Sequence, residues 1–191
     1  MRRKICSYVL AAASLLILTA QVHATIMLQL NLEEMTGRAD KIFRGTVINI
    51  QQSTIEAGGA ELPTVTYRLR VEELFKGQAS EVKGEKAVVQ IRMIGSIKPA
   101  PANKAGKVKF SAFRDVPRLV MGGDYLLFTT SESSIGLSTT VGLGQGAFKV
   151  GPMEGELQAV NEFNNAGLGL NGAGPVEYVK LGEEIRALLG Q

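Results

Sequence analysis

The feature that most constrains this chain is a period of two in its apolar residues. That spacing belongs to strands, whose successive side chains point to opposite faces. Val65, Tyr67, Leu69, Val71 and Leu74 stand against Thr66, Arg68, Arg70 and Glu72. From Ala87 to Ile94, Val89, Ile91 and Met93 stand against Gln90 and Arg92. Ahead of both, Ile42, Arg44, Thr46, Ile48 and Ile50 alternate with Phe43, Gly45, Val47 and Asn49 in a run rich in β-branched residues. Further short strands are predicted at Lys107 to Phe113, Gly136 to Val141, Gly146 to Val150 and Leu157 to Val160. Asp124 to Thr130 reads as a strand buried on both faces. Gln51 to Pro63 reads as a polar loop around Gly58-Gly59, and Asn161 to Gly174 as a glycine- and asparagine-rich loop. Helices are predicted at the two ends. Asn31 caps a short one ending near Asp40, with Glu33 and Glu34 in its first turn, and Glu183 to Leu189 forms the other. The expectation is a mainly β protein, a small closed barrel with a short N-terminal helix and a C-terminal helix.

The first two dozen residues follow a different rule. Arg2, Arg3 and Lys4 precede an apolar run from Val9 to Ala20, and Val22-His23-Ala24 supplies a small-residue cleavage site. Residues 1–24 thus read as a signal peptide, leaving residues 25–191 as one exported domain, periplasmic or extracellular. The apolar run is too short for a membrane span, which needs about 20 residues. Cys6 precedes that run, so it is no lipoprotein anchor. Cutting after Ala24 removes three of 21 basic residues and none of 18 acidic ones, so the remainder is neutral. It would also contain no Cys, His or Trp, because Cys6 and His23 leave with the leader. Cutting after Ala20 would instead keep His23 on a short tail. Ser-His-Asp and Cys-His nucleophiles, His- or Cys-ligated zinc and disulfides are then unavailable. No cofactor and no metal is expected.

One segment resembles a known family. Arg38-Ala39-Asp40-Lys41-Ile42-Phe43-Arg44-Gly45-Thr46-Val47 is similar to the opening of netrin-module and tissue-inhibitor-of-metalloproteinase-like domains, where an Ala-Asp pair ends a helix and the first strand carries a small residue at its middle. Tyr67 to Val71 through Phe75-Lys76-Gly77, Val88 to Ile91, and Gly122 to Phe128 agree in order. Gly144 to Val150 resembles the late strand of exported bacterial proteins with this layout. The resemblance implies an OB-type barrel, five strands in a Greek key. Inhibitors of that family chelate zinc through an N-terminal Cys. This chain would start near Thr25 without one, so that mechanism does not carry over as it stands, although a free α-amine at Thr25 could still chelate.

Other motifs have ordinary readings. Ser80-Glu81-Val82-Lys83 matches Ser-x-x-Lys but sits in a polar turn without companion motifs. Gly167 to Gly172 fits Gly-x-Gly-x-x-Gly, yet Gly174-Pro175 follows where a helix is required. Gly142 to Gly146 reads as a turn or bulge. Glu72-Glu73, consecutive on a strand, are expected on opposite faces and so make no shared acid/base site.

Charge placement is the strongest functional signal. Arg92, Lys98, Lys104, Lys107, Lys109, Arg114 and Arg118 face only Asp115 between positions 92 and 118. From Gly122 onward three basic residues meet eight acidic ones. A basic loop projecting from the barrel would suit an envelope polyanion or an acidic exported protein. It suits nucleic acid less, since only Phe110 and Phe113 interleave aromatics. The expectation is therefore a non-enzymatic exported binding module, with Arg92, Lys98, Lys104, Lys107, Lys109 and Arg114 as candidate ligand contacts. The alternatives are an inhibitor of an exported metalloprotease and a carboxylate-based glycan hydrolase with two carboxyls about 5–9.5 Å apart.

Overall fold

The computed structural model describes residues 28–83, 86–97, 116–170 and 172–191. It is mainly β, with eight strands in one antiparallel sheet and two helices. Helix α1 (Leu32–Arg38) leads into β1 (Lys41–Ala57), β2 (Ala60–Lys76), β3 (Glu81–Lys83) and β4 (Lys86–Ile94). After the basic region come β5 (Asp124–Thr129), β6 (Ala147–Met153), β7 (Glu156–Val160), β8 (Val176–Glu177) and helix α2 (Tyr178–Leu189). The spatial order is β3-β4-β2-β1-β5-β6-β7-β8.

Local chemistry explains most of these elements. α1 carries a reciprocal cap: Asn31 Oδ1 accepts from Glu34 N at 2.8 Å, and Glu34 Oε2 accepts from Asn31 N at 3.0 Å. Its Leu32 and Met35 are buried against the sheet. β5 is buried on both faces, as its unbroken apolar run implied. Leu126 and Phe128 point to the helix-covered side, and Tyr125 and Leu127 to the other. Two cores result. One packs α1 and α2 against Ile42, Phe75, Phe128 and Phe148. The other joins Phe43, Val47, Tyr67, Leu69, Ile91 and Met93 on the opposite side of the sheet.

Several expectations are corrected. The polar loop from Gln51 to Pro63 is the end of a long hairpin, paired in register from Gln52↔Val65 to Ala57↔Ala60. Gly58 and Gly59 both have positive φ, +61° and +75°, which a two-residue hairpin turn needs and which polar neighbours do not forbid. Gly136 to Val141 forms no strand; it contributes one bridge, Thr129↔Thr140. α2 begins at Tyr178, five residues before Glu183, because Tyr178, Leu181 and Ile185 already lie along its buried side. The strand expected at Lys107 to Phe113 lies outside the described residues.

The ladder also slips. Arg44 pairs with Glu73 but Gly45 with Val71, leaving Glu72 as an extra residue. Ile42 pairs with Lys76 but Phe43 with Leu74, leaving Phe75 as a second. These bulges shift the alternation of β2 by one residue. Leu74, expected inside, is exposed, and Phe75 is buried in its place. Gln191 Nε2 donates to the carbonyl of Phe75 at 3.1 Å.

No strand pairing closes the sheet into a barrel: among the described residues its outer strands are β3 and β8. The outer edge of β4 is nevertheless capped. Ser80 N donates to Val88 O at 2.9 Å, its Oγ accepts from Gln90 N at 3.0 Å, and Ser138 N donates to Arg92 O at 2.9 Å. Ser80 thus protects an edge through both its backbone N and its Oγ.

Candidate functional site

Two polar constellations stand out. The first lies where α2 meets β1, β2 and β5. Arg44 grips Asp124 through two nitrogens, Nε at 3.1 and 3.0 Å from the two oxygens and a terminal nitrogen at 2.6 Å. Its guanidinium carbon lies 4.6 Å from the centre of the Tyr178 ring. Tyr178 donates its hydroxyl to Glu73, whose other oxygen accepts from Arg186. Arg186 in turn lies over the Phe75 ring at 5.1 Å. The Asp124 hydrogen bond raises the Arg44 pKa against the opposing effect of burial. Burial first, and then Glu73, push the Tyr178 phenol well above its ordinary value. Glu72 is drawn below the carboxylate range chiefly by Arg70, with Thr46 and Arg44 adding to it.

The sequence expectation for Glu72-Glu73 fails here. Alternation would send them to opposite faces, but the bulge at Glu72 lets both carboxylates feel Arg44 or its stacked partner. The cluster escaped sequence reading because its members run from Arg44 to Arg186. Its chemistry is that of a latch: Glu72, Glu73 and Asp124 are each bound by an arginine.

The second constellation is a cleft of about 500 Å³ between the end of β4 and the 130–139 segment. Ile94 and Leu137 supply its apolar lining, while Thr130, Ser131, Ser133 and Thr139 supply hydroxyls and Glu132 the charge. The loop is held by its own bonds. Thr130 N donates to Thr139 O at 2.9 Å, Ser133 N to Leu137 O at 2.7 Å, and Ser138 Oγ to Thr130 O at 2.8 Å. Ser131 and Glu132 are exposed, and their side chains have no hydrogen-bond partner among the described residues. Thr139 Oγ1 is buried without a partner. The sequence carried a signal for this loop: eight of the twelve residues from 129 to 140 bear a hydroxyl.

Of the residues expected to contact ligand, Arg92 is half-buried on β4, its Nε 3.4 Å from Thr66 Oγ1. Its guanidinium borders the cleft loop, 3.9 Å from where a Cβ on Gly136 would sit. Lys98, Lys104, Lys107, Lys109 and Arg114 lie outside the described residues. Arg118 is exposed, beside the buried Leu119. Among the described residues no group of three or more His, Cys, Asp or Glu could hold a metal ion, and no helix is long and apolar enough to cross a membrane.

A buried amide network fixes the start of the described chain. Gln145 Oε1 accepts from Leu30 N at 2.8 Å and its Nε2 donates to Leu28 O at 2.9 Å. Asn161 donates to Gln145 O, and Asn165 donates to the carbonyls of Ala159 and Gly174. The 161–174 loop, which contains the Gly-x-Gly-x-x-Gly match, is therefore held as a structural clasp by Asn161 and Asn165. No protein-family model matches the chain, and no curated protein matches it.

Proposed function

We propose that the protein is an exported, non-enzymatic binding module that meets an envelope polyanion through the basic segment around 92–118. Residues 1–24 serve as its signal peptide in this reading. The observation that supports it is the anchoring of that segment. It leaves β4 beyond Ile97, where Gln52 Oε1 accepts from Ile97 N at 2.7 Å, and returns at Leu119 and Val120, where Tyr125 holds Val120 N at 3.2 Å. Six basic residues lie between two fixed ends of one sheet. The central order β4-β2-β1-β5-β6 is also the strand order of an OB-type plan before closure, which supports the netrin-like reading.

The test is retention of the purified protein on an immobilised acidic polysaccharide across a salt gradient. Retention should weaken with salt and fall at least tenfold on reversing Lys104, Lys107 and Lys109 to Glu. Retention that ignores both salt and reversal overturns the reading.

One observation favours a second reading, inhibition of an exported metalloprotease. The Gln145 clamp fixes Leu28–Leu30, three residues beyond Thr25 in the sequence. Blocking the α-amine should then abolish inhibition; unchanged protease activity at micromolar protein dismisses it. The carboxylate hydrolase is the weakest reading, because the clustered carboxylates are already bound by arginines.

A further inference from the structure

We infer that the cleft between β4 and the 130–139 segment is a subsite for an uncharged saccharide. The inference rests on the binding-module reading and gives that module a second ligand contact, distinct in chemistry from its basic segment.

The cleft is within the ~300–1,000 Å³ range of small-ligand sites. Its lining combines two things a sugar ring needs. Ile94 and Leu137 offer apolar surface to the C–H faces of the ring. Ser131, Ser133 and Glu132 offer hydroxyl donors and carboxylate acceptors to its hydroxyl groups. A carboxylate accepts from two neighbouring hydroxyls at once, and serine hydroxyls rotate to either role. Glu132 is the single charged residue among the cleft's described lining residues, and its carboxylate offers an uncharged polyol an acceptor.

The cleft is also preformed. Ser133 is locked from both sides: its N donates to Leu137 O, its O accepts from Gly136 N, and its Oγ accepts from Leu137 N at 3.1 Å. The segment is tied to the sheet through Ser138 N on Arg92 O. Binding would therefore order little backbone, which favours affinity for a weakly held, hydroxylated ligand. Among the described residues Ser131 and Glu132 have no side-chain partner in holding the loop, which leaves their polar atoms to a ligand.

The test is calorimetric titration of the purified protein with maltohexaose, cellohexaose, chitohexaose and an oligogalacturonate. The expected result is binding of at least one neutral oligosaccharide, unchanged by raising salt severalfold, because no ligand charge is involved. Glu132→Ala should weaken it at least tenfold and Ser131→Ala severalfold, since a site built to bond hydroxyls loses most when its partners are removed. Both side chains are exposed and have no partner among the described residues, so both variants should keep the wild-type melting temperature. Lys104→Glu should leave neutral binding unchanged. Binding of the oligogalacturonate alone, salt-sensitive and indifferent to E132A, overturns this inference while the polyanion reading stands. Binding of none of the four, or neutral binding indifferent to both cleft variants, overturns it also.

Discussion

The guanidinium of Arg44 on β1 sits 4.6 Å from the centre of the Tyr178 ring, at the first turn of α2. The same guanidinium holds Asp124 on β5. One side chain thus ties two neighbouring strands to the C-terminal helix. Arg44→Met should leave Asp124 half-buried and unpaired, costing about 1–3 kcal/mol for the lost charged hydrogen bonds. Denaturant unfolding checks this, and Asp124→Asn in the same background should recover part of the loss.

The Tyr178 phenol keeps its proton in the folded chain above the ordinary value of 10.0 at which the unfolded chain releases it. Its contribution to stability is complete below that pH and is lost as pH climbs beyond it, because the folded state then binds more protons than the unfolded one. Tyr67 shifts in the same direction through burial. Phenolate absorbance should therefore rise late for both residues. Tyr178→Phe should remove the later component and flatten the alkaline fall in stability.

Gln145 to Ala should cost about 2–3 kcal/mol, since it removes two backbone partners and strands Leu30 N in a buried place. The damage should be local. Limited proteolysis should begin cutting near Leu28–Leu30 while the sheet retains its circular-dichroism signal.

Gly45 lies in the first third of β1, where an added Cβ would fall 2.7 Å from the carbonyl oxygen of Arg70 and 3.2 Å from Leu69 Cβ. Gly45→Ala should therefore destabilise by about 1–3 kcal/mol through overpacking, read as a lower denaturant midpoint with unchanged slope.

The elements legible from sequence were those whose burial is one-sided and regular. β4 and β5 match their patterns, and the cap of α1 is written in Asn31 and Glu34. Gly45, the fifth residue of β1, is visible in the sequence too, and the close approach of the Arg70 carbonyl explains it. What stayed hidden depends on register. Neither Glu72 nor Phe75 announces itself as a bulge, because a bulge is a mismatch with a partner strand rather than a property of its own residues. The hairpin beyond Gln51 was hidden for a related reason: its faces are polar, so no apolar period marks it. The latch joins residues more than 100 positions apart, and the cleft loop reads in part as a strand at Gly136 to Val141 although it pairs with the sheet by one bridge.

The hairpin of β1 and β2 outruns its neighbours. β5 accompanies β1 only through Thr46, and β4 accompanies β2 only as far as Thr64. From Ile55 to Leu62 the ribbon is two strands wide among the described residues, and its next-to-last pair before the turn residues sets Glu56 opposite Glu61. A ribbon of that width is marginal without a third strand, and like charges facing each other loosen it further. Amide hydrogens near Gly58-Gly59 should therefore exchange with solvent through small local openings. Those at the Ile42–Thr46 end, flanked on both sides, should wait for the whole domain to unfold. The longest pairing among the described residues is thus a gradient of rigidity, firm at the helix-covered base and compliant at its tip.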